Sequence, residues 1–191
     1  MVYRRYQAFS LGPIWVIIAV NLGMLIATTV SPRIVTTLGL VPAIFWEQPW
    51  TIVTCMFIHS GVFHLIFNML ALYFFGGYFS RLVGDKRFLI VYFGGGIFGS
   101  ILYLLLGEPW SVAIGASGAI FALGGALAIM RPHLRVIIFP IFVPLPLWIA
   151  VIGGFILMSF LPSVAWQAHL GGLLVGLAVG YIFRRRERYS F

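Results

Sequence analysis

Five long stretches of this chain contain no Asp, Glu, Lys or Arg: residues 6–32, 48–80, 88–107, 109–130 and 136–183. Crossing about 30 Å of hydrocarbon at 1.5 Å per residue takes roughly 20 apolar residues in helical form. Four of the stretches suit one crossing each, and the fifth is long enough for two. Within the fifth, Leu161-Pro162-Ser163-Val164-Ala165-Trp166-Gln167 supplies a break, because Pro162 has no N–H to donate and Gln167 is polar. The pattern predicts an all-α polytopic membrane protein, a bundle of six transmembrane helices near 12–31, 62–80, 88–107, 115–131, 145–160 and 167–183. The segment 134–146, with Pro140, Pro144 and Pro146, is expected to lead into the fifth helix as irregular or kinked chain. No fixed-period repeat, low-complexity tract or second domain interrupts residues 1–191, so a single membrane domain is expected.

Composition excludes the main alternatives. Charged residues make up 8% of the chain, against about 25% in soluble domains, too few to coat a globule of this size in water. That excludes an ordinary cytosolic enzyme and a disordered regulator, and a single cysteine, Cys55, excludes a disulfide scaffold. The net charge of +8 does not indicate nucleic acid, because of where it falls. With the N-terminus inside, the cytoplasmic segments hold Arg4, Arg5, Arg81, Lys86, Arg87, Arg131, Arg135, Arg184, Arg185, Arg186 and Arg188, leaving only Arg33 outside. Both termini are therefore expected in the cytoplasm, with the basic tail beside anionic lipid. No cleavable signal pattern precedes the first apolar run, and no processing is expected. The loop 32–61, with Pro32, Pro42, Pro49, Trp46 and Trp50, is expected on the outer side, resting in the interface.

A polar side chain inside hydrocarbon is costly, so each one points to a function. The set is His64, Asn68, Ser117 and His169, with His59 just before the second span. His64, Ser117 and His169 each stand near the start of a span that runs from outside to inside, which puts all three at similar depth near the outer surface. The four acids, Glu47, Asp85, Glu108 and Glu187, all fall in loops or the tail. A pair of facing carboxylates within the spans is thus excluded, and no His-Glu-x-x-His zinc motif is present. A three-histidine metal site from His59, His64 and His169 would lack a base, so no metal or other cofactor is expected. Hydroxyl plus imidazole remains, with Ser117 as nucleophile and His169 as general base.

The surroundings of Ser117 suit that chemistry. Gly115-Ala116-Ser117-Gly118 opens a helix, where unpaired backbone N–H groups and the positive dipole end stabilise developing negative charge. His64 and Asn68, spaced i, i+4, project from one face of the second helix and can donate to the same oxyanion. From His169 the sequence continues to Gly172, Gly176 and Gly180, and the fourth helix answers with Gly118, Ala122 and Ala126. Such small-residue stripes let two backbones approach closely enough for a hydrogen bond between Ser117 and His169. His59 is expected to brace the loop by hydrogen bonding, and His133 has no assigned role.

His59, His64-Leu65-Ile66-Phe67-Asn68, Gly115-Ala116-Ser117-Gly118 and Ala168-His169-Leu170-Gly171-Gly172 with Gly176 together resemble the rhomboid intramembrane serine proteases of minimal six-helix form. The resemblance spans roughly residues 45–183. It implies a serine endopeptidase that cuts transmembrane segments of other proteins, with a Ser117–His169 dyad. By the same resemblance, His64, Asn68 and the Ser117 amide form the oxyanion hole, and Gly115 shapes the turn beside it. It implies no metal, no cofactor and no nucleic-acid partner, only membrane-protein substrates within the bilayer. Three positions depart from the family pattern. Thr51 follows Trp50 where Arg is common, Ser80 stands where Glu often closes the second span, and Phe121 replaces a frequent Tyr. Phe keeps the stacking on the histidine and loses a phenolic hydrogen bond. Substrate access is expected between the second and fifth spans, past Phe67 and Trp148. The alternatives are a catalytically silent rhomboid-like adaptor that binds membrane helices, and a proton relay or transporter using the histidines.

Overall fold

A computed structural model describes residues 12–137, 142–162 and 164–188. The order is α1 (Gly12–Val30), α2 (Arg33–Leu38), a 3₁₀ turn (Pro42–Ile44), α3 (Thr51–Thr54) running into a second 3₁₀ turn (Cys55–Phe57), then α4 (Val62–Ala71). A π-helical turn (Leu72–Gly76) joins α4 to α5 (Gly77–Val83), followed by α6 (Asp85–Leu106) and α7 (Ser117–Met130). The strands β1 (Arg135–Ile137) and β2 (Pro144–Pro146) precede α8 (Leu147–Ser159) and α9 (Trp166–Arg188).

Among the described residues, four apolar helices are long enough to cross a membrane: Gly12–Val30, Val62–Val83, Asp85–Leu106 and Trp166–Arg185. The other two expected spans, α7 and α8, are apolar but have only 14 and 13 residues. At 1.5 Å per residue α7 rises about 21 Å, well short of the ~30 Å hydrocarbon thickness. Eleven of its fourteen residues are buried, so protein surrounds it on nearly every side.

The expected boundaries shift where glycine or proline acts. The fourth helix begins at Ser117, because Gly115 has φ +121° and cannot be helical. The second span continues through Arg81 until Gly84, whose φ of +89° turns the chain straight into α6. There Ser80 donates a short hydrogen bond to Asp85, tying the end of α5 to the start of α6. The lead into the fifth helix is not simply irregular: Arg135↔Pro146, Val136↔Leu145 and Ile137↔Pro144 form an antiparallel ribbon. Leu147 N donates to the Leu134 carbonyl at 2.7 Å, which puts Pro146 and Pro144 at the alternate, non-bonded positions where a missing N–H costs nothing. Pro140 lies outside the described residues.

The bundle is tightest among α6, α7 and α9. A Cβ added at Gly172 would overlap the Gly118 carbonyl, one at Gly176 the Ala122 carbonyl, and one at Gly180 would lie 2.5 Å from the Ala126 carbonyl oxygen. These are the pairings read from the two small-residue stripes. On the other flank Gly95 meets Ala122, and Gly99 meets the Ala168 carbonyl. By contrast α8 packs chiefly on α7, and a Cβ at either Gly153 or Gly154 would meet open space.

Candidate active site

Three helix beginnings meet at one end of the bundle, and each carries one of the polar residues singled out in the sequence. Ser117 is the first residue of α7, His169 lies in the first turn of α9, and His64 in the first turn of α4. Ser117 Oγ and His169 Nε2 are 2.7 Å apart, a hydrogen bond between residues 52 positions distant in the chain. The approach depends on the glycine contacts beneath it, with Gly172 one turn along from His169 and seated on the Gly118 carbonyl. His169 is 6% exposed, and its buried Nδ1 has no hydrogen-bond partner. No carboxylate therefore stands behind the imidazole. Phe121, one turn after Ser117, lies over it instead, with ring centroids 4.8 Å apart and planes 36° apart, and is held edge-on by Phe155.

The turn before Ser117 is fixed from the first loop. Leu40 and Ala113 exchange backbone hydrogen bonds at 3.0 and 2.8 Å, and Gly115 N donates to the Cys55 carbonyl at 2.9 Å. The loop is held in turn by Trp50 Nε1 donating to the Thr37 carbonyl at 2.9 Å and Thr54 Oγ1 to the Leu38 carbonyl at 2.8 Å. Thr51 is buried and donates to the Gln48 carbonyl, so this loop is anchored without an arginine there. Gly115 needs its lack of a side chain twice. Its φ is in the left-handed half of the map, and a Cβ would stand 3.0 Å from His64 Nε2 and 3.6 Å from Ser117 Oγ. Those contacts place the His64 ring edge and the Ser117 hydroxyl on either side of one small space.

The His64 tautomer follows from its neighbour. Ser60 N donates to His64 Nδ1 at 3.4 Å, and Ser60 Oγ stands 3.1 Å from the same nitrogen. A backbone N–H only donates, so Nδ1 accepts and the neutral ring carries its proton on Nε2, the nitrogen that faces Gly115. Asn68 is 7% exposed and donates through Nδ2 to the His64 carbonyl at 2.8 Å, a bond within its own helix. One amide hydrogen is thereby used and the other left over. His59 is 3% exposed, with its ring against the Phe57 backbone. It packs edge-on to His64 with centroids 4.9 Å apart, and burial, with His64 adding to it and the Phe57 backbone opposing it, pushes its imidazole down to about 4. Gly118 contributes its carbonyl to the α7–α9 contact.

Sequence reasoning missed Ser60 and the Cys55 carbonyl. The first had a usable signal, a polar residue just before a helix whose third residue reaches back to it, as in a capping box. The second is a backbone contact and left none. Among the described residues no group of three His, Cys, Asp or Glu side chains is arranged to hold a metal ion.

Residues 46–186 match the family model described as the Rhomboid domain. RHOMBOID-like protein 1 of Arabidopsis thaliana is 34% identical over 145 residues, 76% of this chain and 37% of that protein. The Bacillus subtilis (strain 168) protein YdcA, whose name marks it as a candidate rhomboid protease, is 32% identical over 150 residues, 73% of this chain and 70% of its own. Rhomboid protein 1 of Saccharomyces cerevisiae mitochondria is 32% identical over 158 residues, 72% of this chain and 43% of that protein. The alignments cover 37% and 45% of two Arabidopsis relatives, so the chain spans less than half their length. With a domain match over most of its length and its polar residues gathered at three helix beginnings, this chain belongs to the rhomboid family of multi-pass membrane proteins.

Proposed function

We propose that the protein is an intramembrane serine endopeptidase that hydrolyses peptide bonds in or near transmembrane segments of other membrane proteins. The observation that carries this reading is the 2.7 Å separation of Ser117 Oγ and His169 Nε2. Neutral His169 takes the hydroxyl proton at Nε2 as Oγ attacks the scissile carbonyl carbon. The tetrahedral oxyanion that forms is stabilised by the Ser117 backbone N–H at the start of α7, the second Nδ2 hydrogen of Asn68 and His64 Nε2–H, which the Ser60 contact leaves facing the site. Protonated His169 then donates to the leaving amine, the C–N bond breaks, and an acyl-enzyme remains on Ser117. Water attacks that ester with His169 again as base, releasing the new carboxylate. With no carboxylate behind His169, orientation falls to the Phe121 ring and the helix packing, and the machinery is a dyad.

The site faces the extracytoplasmic side, with both termini in the cytoplasm, as the arginine distribution favours. A short α7 packed between the longer α6 and α9 suits this function, since its first residue then lies below the lipid surface yet within reach of water. Substrates reach it sideways between α4 and α8, past Phe67, which is 52% exposed. Trp148, expected from the sequence at the same entry, lies seven residues before the Phe155 that meets Phe121, about 10 Å along α8 away from Ser117. The open space at Gly153 and Gly154 favours α8 as the movable wall. A helical substrate must unwind before attack, so weak helix formers near the cut are preferred.

Purified protein in lipid, incubated with single-span substrates and analysed by mass spectrometry, tests this reading. Cleavage within or beside the span, and fluorophosphonate labelling, are expected from the wild type and not from Ser117→Ala. Equal labelling of both, with no cleavage, would identify instead a silent helix-binding adaptor.

A further inference from the structure

Behind the loop that presents Ser117 lies a cavity of about 440 Å³, formed by the end of α6, the connection to α7 and the chain leading into α9. Tyr103, Glu108, Ser111 and Gln167 supply its polar lining, with Trp166 as an aromatic wall. Most of those polar groups are spent on each other. Tyr103 Oη and Ser111 Oγ are 2.5 Å apart, Ser111 Oγ donates to the Glu108 carbonyl at 2.8 Å, and Gln167 Nε2 donates to the Leu106 carbonyl at 3.1 Å. These bonds stiffen the walls. The Glu108 carboxylate is the one charged side chain in the lining, and no ion pair engages it among the described residues.

Resting on the protease reading above, we infer that this cavity is a substrate subsite for a protonated Lys or Arg side chain on the extramembrane side of the scissile bond. Charge and wall chemistry agree on the ligand class, since a carboxylate beside an indole face attracts an ammonium or guanidinium group. Position agrees as well. Gln167 is two residues from His169, and Val112, also in the lining, is five residues from Ser117. Five extended residues span at most about 17 Å, so a substrate strand leaving Ser117 reaches the cavity within about five positions. The lone carboxylate then reads one basic residue in the flank outside the membrane.

The test is a set of single-span substrates with Lys or Gln placed in turn two to six residues beyond the cut on the extramembrane side. Each is assayed in liposomes free of phosphatidylethanolamine, then in liposomes containing it. For the wild type, Lys at one of these positions is expected to lower KM about fivefold relative to Gln, the scale of a partly exposed ion pair. In Glu108→Gln that ratio falls to one, and Glu108→Lys reverses it in favour of a substrate with Glu there. The subsite is overturned if the ratio is one at every position in the wild type, or survives in Glu108→Gln. It is equally overturned if Glu108→Gln changes only the response to the ethanolamine lipid, which would make the cavity a headgroup site. Cleavage without a Lys preference defeats the subsite alone. Absence of both cleavage and Ser117 labelling defeats the protease reading with it.

Discussion

Replacing Gly172 by Ala isolates what positions the two reacting groups, because Gly172 touches neither of them. Its added Cβ would overlap the Gly118 carbonyl, and relief requires α9 to retreat from α7 by about 1 Å. His169 lies one turn away on the same helix, so its Nε2 moves by a similar amount. The 2.7 Å contact then stretches beyond hydrogen-bond range. Misplacement on that scale costs about 10²-fold in rate, and overpacking costs about 1–3 kcal/mol of stability. Gly180→Ala is the control, a clash of the same kind against the Ala126 carbonyl, eleven residues and about 16 Å along α9 from His169. Thermal unfolding in detergent and kcat on a single-span substrate are measured for both variants. The expected result is kcat falling about 100-fold in Gly172→Ala and less than about 10-fold in Gly180→Ala, with comparable losses of stability. If activity merely follows stability in both, the contact beneath His169 has no positioning role and the reasoning fails.

Gly115→Ala meets both an unfavourable φ and the His64 ring, and should lower kcat at least 10-fold while leaving the helical circular dichroism of the bundle intact. His64→Ala removes one oxyanion donor and is expected to reduce kcat by about 10²–10³ with little change in KM, read from initial rates. Phe67→Ala should raise turnover of membrane-embedded substrates about twofold or more while leaving a soluble, unfolded peptide unaffected; unchanged turnover would count against access between α4 and α8.

The membrane class, the helix order and the meeting of His64, Ser117 and His169 were legible because hydrocarbon penalises every polar side chain that lacks a purpose. The α7–α9 contact was legible too, since glycine at steps of four has few other uses on an apolar helix. Lengths were harder. The start of α7 was legible to within two residues from Gly115-Ala116-Ser117-Gly118, but nothing in the run 109–130 reveals that the residues before it pair with the first loop through Leu40 and Cys55 backbone atoms. The proline-rich approach to α8 misled for a related reason, as a proline is compatible with a ribbon at every second position and the sequence does not say which.

The π-helical turn at Leu72–Gly76 sets the register of the second span. It carries one residue more than an α-helical course of the same rise requires. Deleting a single amino acid there would regularise the hydrogen bonding and yet swing everything downstream by about 100°. Phe79 would leave its stack on Phe183, and Ser80 would turn from Asp85. The histidine end and the far end of this span thus answer to separate rotational settings, and length variation in the family should be tolerated least within these five positions.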